Sequence, residues 1–144
     1  MDLAAAQRIL IVTADHSVGD AMELLVVLQG GGPLIRCTPS GHDLLRWIHE
    51  DATCDLLIVD FNTADMTGPV LYRRLLARWP GACPPVLFVS DDMDVNGYAQ
   101  DLEVLAVPLL FKPFSIGELS AAVHRALAAT QPRRTLISPR TPTT

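Results

Sequence analysis

Three residues with chemically active side chains each stand just past a short apolar run: Asp60 after "LLIV", Ser90 after "VLFV" and Lys112 within "LLFKPF". A carboxylate, a hydroxyl and an ammonium placed this way share one rim if their runs are strands of a single parallel sheet. Taken singly each says little, because an acid after a strand is most often a helix cap or a solvated loop residue. Together, on three strands of one sheet, they bring opposite charges and a hydrogen-bond donor to one place. Lys112 is also set apart by type, since ten of the eleven basic residues are Arg and it is the single Lys. Its ammonium is a compact point charge, whereas a guanidinium is a flat fork.

The first apolar run, "ILIV", ends in Thr13, Ala14 and Asp15. Asp15 is the one acid close by. A metal-hydrolase reading built on His16, Asp15 and Asp60 is weak, and His42 and His49, seven apart, read as surface or packing residues. Cys37, Cys54 and Cys83 are odd in number and lack CxxC spacing, which indicates neither a disulfide framework nor a zinc site. They read as small buried apolar residues.

The elements that must position these groups follow from periodicity. Strands are expected over Ile9–Val12, Leu34–Cys37, Leu56–Val59, Val86–Val89 and Val107–Leu110. Several of these runs are apolar throughout, as in strands covered on both faces. Amphipathic helices are expected over Val18–Gln29, His42–His49, Val70–Trp79, Val95–Glu103 and Ile116–Ala129. Ser17 with Asp20, Ser40 with Asp43 and Ser115 with Glu118 fit the S-x-x-[DE] helix start, and Thr67-Gly68-Pro69 adds a fourth. Strict β-α alternation implies an α/β fold: a flavodoxin-like, doubly wound, five-stranded parallel sheet of order 2-1-3-4-5 with five helices, its chemistry at the carboxyl ends of the strands. "GGGP" at 30–33 is a turn and not a phosphate loop, because no Lys-Ser or Lys-Thr follows.

At 144 residues, 49% hydrophobic and 19% charged, the chain is expected to form one compact domain. Its boundaries are placed at 1–130, with 131–144, "QPRRTLISPRTPTT", a flexible tail or linker. A net charge of −5 gives no reason to expect nucleic acid as a partner of the folded part. The N-terminal apolar run is too short for a signal peptide and no segment is long enough to cross a bilayer, so a cytoplasmic protein away from membranes is expected.

From Ile9 to Leu127 the sequence resembles the receiver domains of two-component response regulators. "DLLIVDFNTADMTG" is similar to that family's phosphoacceptor segment, which implies Asp60 as the phosphorylated aspartate, Asn62 as a backbone-carbonyl metal ligand and Gly68 at the turn. The resemblance likewise puts Ser90 where a hydroxyl binds the phosphoryl group, and Lys112 and Pro113 at the family's lysine and its cis-peptide partner. The separations 90 − 60 = 30 and 112 − 90 = 22 look like the family's spacing. In phosphoryl transfer the protein mainly positions the group and offsets charge on its oxygens.

The resemblance also implies two acids after the first strand to hold Mg²⁺, and here Thr13 and Ala14 stand there. Sliding the match so that Asp15 and His16 become the pair would displace Val18, Ala21, Met22 and Leu25 from their helix face. The unshifted match leaves Asp15, Asp60 and Asn62 as a weak metal site. Asp91 after Ser90, Thr63-Ala64 in place of Met-Pro, and Leu109 where a Tyr or Phe commonly reports phosphorylation depart from the pattern in the same direction.

The expectation is therefore an atypical receiver, impaired in Mg²⁺-dependent phosphorylation at Asp60, that acts by protein–protein interaction through the face of its fourth helix, fifth strand and fifth helix. The alternative is a conventional receiver phosphorylated on Asp60 by a histidine kinase or phosphotransfer protein. In neither is it an enzyme beyond catalysing its own phosphoryl transfer. An output or effector protein is the other expected partner, and a homodimer is open. A flavodoxin-like flavin- or nucleotide-binding protein is the third reading, and it needs a phosphate-cradling loop that "TADHSVGDA" supplies poorly.

Overall fold

The computed structural model describes residues 8–50, 54–91 and 107–137. In chain order these form β1 (Arg8–Val12), α1 (His16–Leu28), β2 (Leu34–Thr38), α2 (Gly41–His49), β3 (Leu56–Asp60), α3 (Gly68–Arg78), β4 (Val86–Ser90), β5 (Leu109–Phe111) and α4 (Ile116–Ile137). All five strands are parallel, in the order β2-β1-β3-β4-β5. The expected sheet and strand order are thus found. The helix expected over Val95–Glu103 lies outside the described residues, among which there are four helices.

Burial across the sheet follows strand position. Every residue of β3 and β4 is buried, whereas edge strand β2 is largely open and β5 has a buried Leu110 between a half-buried Leu109 and an exposed Phe111. On one face α1 and α4 cover Ile9, Ile11, Ile58 and Val89 with Val18, Met22, Leu25, Leu119 and Val123. On the other, α2 and α3 cover Leu10, Val12, Leu57 and Phe88 with Leu44, Trp47, Leu71 and Leu75. Val18, Met22 and Leu25 of α1 are buried, as the helix face expected from the sequence requires. At the open flank Arg36 of β2 lies over the Trp47 ring, 3.6 Å from its centre, within cation–π range.

Several boundaries differ from expectation. The fifth strand is Leu109–Phe111 and not Val107–Leu110, because Pro108 has no N–H to give the ladder and contributes only its carbonyl, which accepts from Phe88 N at 2.9 Å. The last helix continues past Ala129 to Ile137, through Pro132.

Helix starts also needed one correction. The N-cap of α1 is Asp15 and not Ser17: its carboxylate accepts from Ser17 N at 3.0 Å and Ser17 Oγ at 2.7 Å. Ser115 and Glu118 form the full reciprocal box before α4, at 3.0 and 2.9 Å. Ser40 caps α2 by accepting from Asp43 N, but the Asp43 carboxylate turns to the Thr38 hydroxyl. Thr67 caps α3 with Pro69 in the first turn. Of the cysteines, Cys37 is exposed on β2 rather than buried, and Cys54 and Cys83 are half-buried.

Candidate functional site

Asp60 closes β3 at the carboxyl rim and is 1% exposed. Its position is fixed from below and behind. Phe61 is buried against Phe88, ring centres 5.1 Å apart at 85°, and Phe61 N donates to Val89 O at 2.9 Å. Gly68 then passes so close that a Cβ would lie 2.9 Å from Asp60 O and 3.0 Å from Phe61 Cα, which is why the turn takes glycine. A bridge between Asn62 and Thr67 closes the loop.

Burying this carboxylate requires donors on both oxygens. Oδ2 accepts from Lys112 Nζ at 2.8 Å and from Thr13 Oγ1 at 2.8 Å, and Oδ1 accepts from Asn62 N at 3.0 Å. Lys112 arrives from the end of β5, just before a cis Lys112–Pro113 peptide, and its N–H donates to Ser90 O at 2.7 Å. Its ammonium also donates to Asp15 Oδ2 at 3.3 Å. Burial works against that ammonium, but hydrogen bonds and charge from Asp60, then from Asp15, outweigh it and raise the Lys112 pKa. Asp15 is shifted down, first by the Ser17 hydroxyl, then by Ser17 N, with Lys112 adding to it.

Asp60 and Lys112 are therefore brought into contact, as their strand positions require. Ser90 is on the same rim and fully buried, but its hydroxyl donates to Asp91 O at 2.9 Å instead of facing Asp60. Thr13 takes a part that sequence reasoning counted only as a missing acid, because its hydroxyl bonds the acceptor carboxylate directly. Asn62 meets Asp60 through its amide N–H.

The sequence reading passed over Asp65 in the loop after β3. Its carboxylate caps α2 from a distance, accepting from Ser40 Oγ at 2.7 Å, Gly41 N at 2.8 Å and His42 N at 3.1 Å, and pairs with His42 Nδ1. Despite some desolvation, these bonds hold its pKa well below the usual carboxylate range. The signal was an acid five residues after the acceptor in a loop that must cross the first turn of α2.

The donor set does not fit a magnesium ion well. Mg²⁺ takes oxygen ligands, commonly one or two carboxylates with water. Here the two carboxylates at the rim, Asp15 and Asp60, are already bridged by the Lys112 ammonium, and the third position is a hydroxyl turned onto Asp60. Among the described residues no group of three His, Cys, Asp or Glu is arranged to hold a metal. His16 lines a cleft of about 330 Å³ with Gly19, Asp20, Glu23 and Cys37, which meets the site at Thr13 and Ala14 but is not lined by Asp60.

A family model described as the response regulator receiver domain matches residues 9–124. The C4-dicarboxylate transport transcriptional regulatory protein DctR of Rhodobacter capsulatus is 33% identical over 124 residues, 85% of this chain and 61% of that protein. The response regulator protein TodT of Pseudomonas putida is 30% identical, with 85% and 52% covered. The chain thus spans about three-fifths or less of the curated relatives it matches. Among solved structures, NtrX from Brucella abortus superposes with a TM-score of 0.76 at 21% identity, covering 94% of this chain and 30% of NtrX. A putative response regulator from Chloroflexus aurantiacus gives 0.69 at 27% identity, with 85% and 98% covered. Among the described residues no helix is long and apolar enough to cross a membrane.

Proposed function

Given that the chain belongs to the response regulator receiver domain family, we propose that it is an atypical receiver whose acceptor aspartate, Asp60, is a poor phosphoryl acceptor and which signals by protein–protein interaction. The observation that carries this reading is the Thr13 hydroxyl on Asp60 Oδ2, at a position where the family calls for an acid that helps hold Mg²⁺. With Lys112 on the same oxygen and an amide on the other, the carboxylate is neutralised by the protein itself. An incoming phosphoryl group must displace one of those donors. The Ser90 hydroxyl, turned to Asp91 O, has to rotate before it can help. Any residual metal site rests on Asp15, Asp60 and the Asn62 carbonyl, and binds weakly.

Contact with an output or effector protein falls to the face around β5, where Phe111 is 43% exposed. Leu109 packs inward against the α2–α3 side of the core, so a Tyr or Phe switch is replaced there by an aliphatic contact. DctR and TodT are named as a transcriptional regulatory protein and a response regulator. A histidine kinase, phosphotransfer protein or regulator of transcription is accordingly the class of partner proposed.

The test is labelling of the purified chain with a small acyl-phosphate donor, with and without Mg²⁺, followed by mass mapping. Slow, metal-insensitive or absent modification of Asp60 is the expected outcome. Fast Mg²⁺-dependent modification overturns the atypical reading in favour of a conventional receiver, for which the intact Asp60–Lys112 contact at 2.8 Å speaks.

A further inference from the structure

The outward side of α1 is not what a helix lying on a sheet ordinarily shows to water. Its core side is filled by Val18, Met22, Leu25 and Val26, yet Leu24, Val27 and Leu28 stand 48%, 70% and 64% exposed. Their spacing of i, i+3 and i+4 puts them on one face as a single ridge. They are half of the large apolar side chains left open among the described residues. Towards the carboxyl rim α1 carries the exposed acids Asp20 and Glu23, and it holds no Lys or Arg.

The neighbouring helix supplies the opposite charge at the opposite end. Both α1 and α4 cover the same sheet face and return from the carboxyl rim of a parallel sheet, so they run the same way. Gln29 Nε2 donates to Ser120 Oγ at 3.4 Å, which sets the level of one helix against the other. At about 1.5 Å per residue, Glu23 lies about 9 Å from that level towards the carboxyl rim, and the exposed Arg125 of α4 about 8 Å from it towards the amino rim. The apolar ridge falls between them. Among the described residues Asp20, Glu23 and Arg125 take no part in an ion pair.

We propose that this α1–α4 face is the interface of a weak homodimer. From one end to the other the layer reads acid, apolar, base, an order that complements itself when turned end for end. A two-fold axis through the ridge gathers Leu24, Val27 and Leu28 of both copies, and it brings Asp20 and Glu23 of each towards Arg125 of the other. A partner of uniform charge would match one end of the face and oppose the other, which is why a second copy is the occupant it fits. Three apolar side chains and exposed charges fall short of the roughly 1,200 Å² that a stable interface buries, so association is weak and is weakened further by salt. The inference rests on the fold and these charges, goes beyond the reading of the acceptor site, and uses neither Asp60 nor Phe111.

The experiment is sedimentation velocity on the full chain from micromolar to millimolar concentration. A reversible monomer–dimer equilibrium is expected, loosened several-fold by raising the salt, a readout that needs no variant. Val27→Glu should weaken the dimer by about tenfold or more, because it buries a charge in the ridge. Arg125→Glu and the double change Asp20→Lys/Glu23→Lys should each weaken it too, since like charges then meet at both ends. An equimolar mixture of those two variants should regain the parent's affinity, because every acid again faces a base, and that recovery cannot come from misfolded chains. The proposal is overturned by a chain that stays monomeric to millimolar concentration, by a dimer indifferent to salt or to Val27→Glu, or by a mixture no tighter than its components. A dimer lost instead on Phe111→Ala would also overturn it, placing the contact at β5.

Discussion

Restoring acids at Thr13 and Ala14 tests the reading of the site most directly. Thr13 Oγ1 lies 2.8 Å from Asp60 Oδ2, so a carboxylate at position 13 comes within about 4 Å of a buried one. At an effective dielectric of about 20, two unit charges at that distance repel by about 4 kcal/mol. Lys112 offsets part of this, but it is already shared between Asp60 and Asp15. The variant Thr13→Asp/Ala14→Asp should therefore lose about 2–4 kcal/mol in metal-free buffer, read as a lower urea midpoint. Adding Mg²⁺ should reverse most of the loss, since a ligand at about 100 times its Kd stabilises by about 2.7 kcal/mol. The parent chain should show little change over the same titration. An Mg²⁺ response that is the same in parent and variant would refute both the register after β1 and the claim that Thr13 stands at the metal position.

Replacing Lys112 with Met leaves the buried Asp60 charge without its ammonium and should cost about 3–5 kcal/mol in urea unfolding; adding Asp60→Asn to that variant should restore much of it, and no recovery would show that the pair is not coupled. Gly68→Ala should destabilise by about 1–3 kcal/mol, because its Cβ meets the Asp60 and Phe61 backbone at 2.9 and 3.0 Å; an unchanged midpoint would mean that the loop after β3 gives way freely. Asp65→Ala should cost about 1 kcal/mol at neutral pH through lost capping of α2. Because the folded pKa of Asp65 is depressed, its contribution is present above the ordinary carboxylate value and is lost as pH falls through the folded one. Parent and Asp65→Ala unfolding curves should therefore converge in strong acid, and a constant gap would place the effect elsewhere.

The fold was legible because its signals were redundant. Continuous apolar runs at Leu56–Val59 and Val86–Val89 announced strands covered on both faces, and with the run before Lys112 they put Asp60, Ser90 and Lys112 on one rim. What stayed hidden were choices made by individual side chains. Ser17 and Asp20 match a helix-start pattern, yet the helix begins one residue before Ser17, and Asp15 caps it by accepting from the Ser17 amide. Ser90 lies on the right rim with its hydroxyl committed to the next carbonyl, a rotamer no spacing encodes. Thr13 was visible as a missing acid but not as a donor to Asp60. Asp65 acts on a helix 23 residues back, so its place five residues after the acceptor is the one local hint of it.

The guanidinium laid over Trp47 has a consequence for how this protein behaves among its own kind. Among the described residues β2 ends the sheet, the sort of border along which another polypeptide could continue the weave. Arg36 sits midway along that border, its guanidinium carbon over the indole. A newcomer docking there has to strip water from a fixed positive charge before gaining its first bond. That toll keeps the border solvated, and swapping Arg36 for valine would turn a guarded seam into an adhesive one.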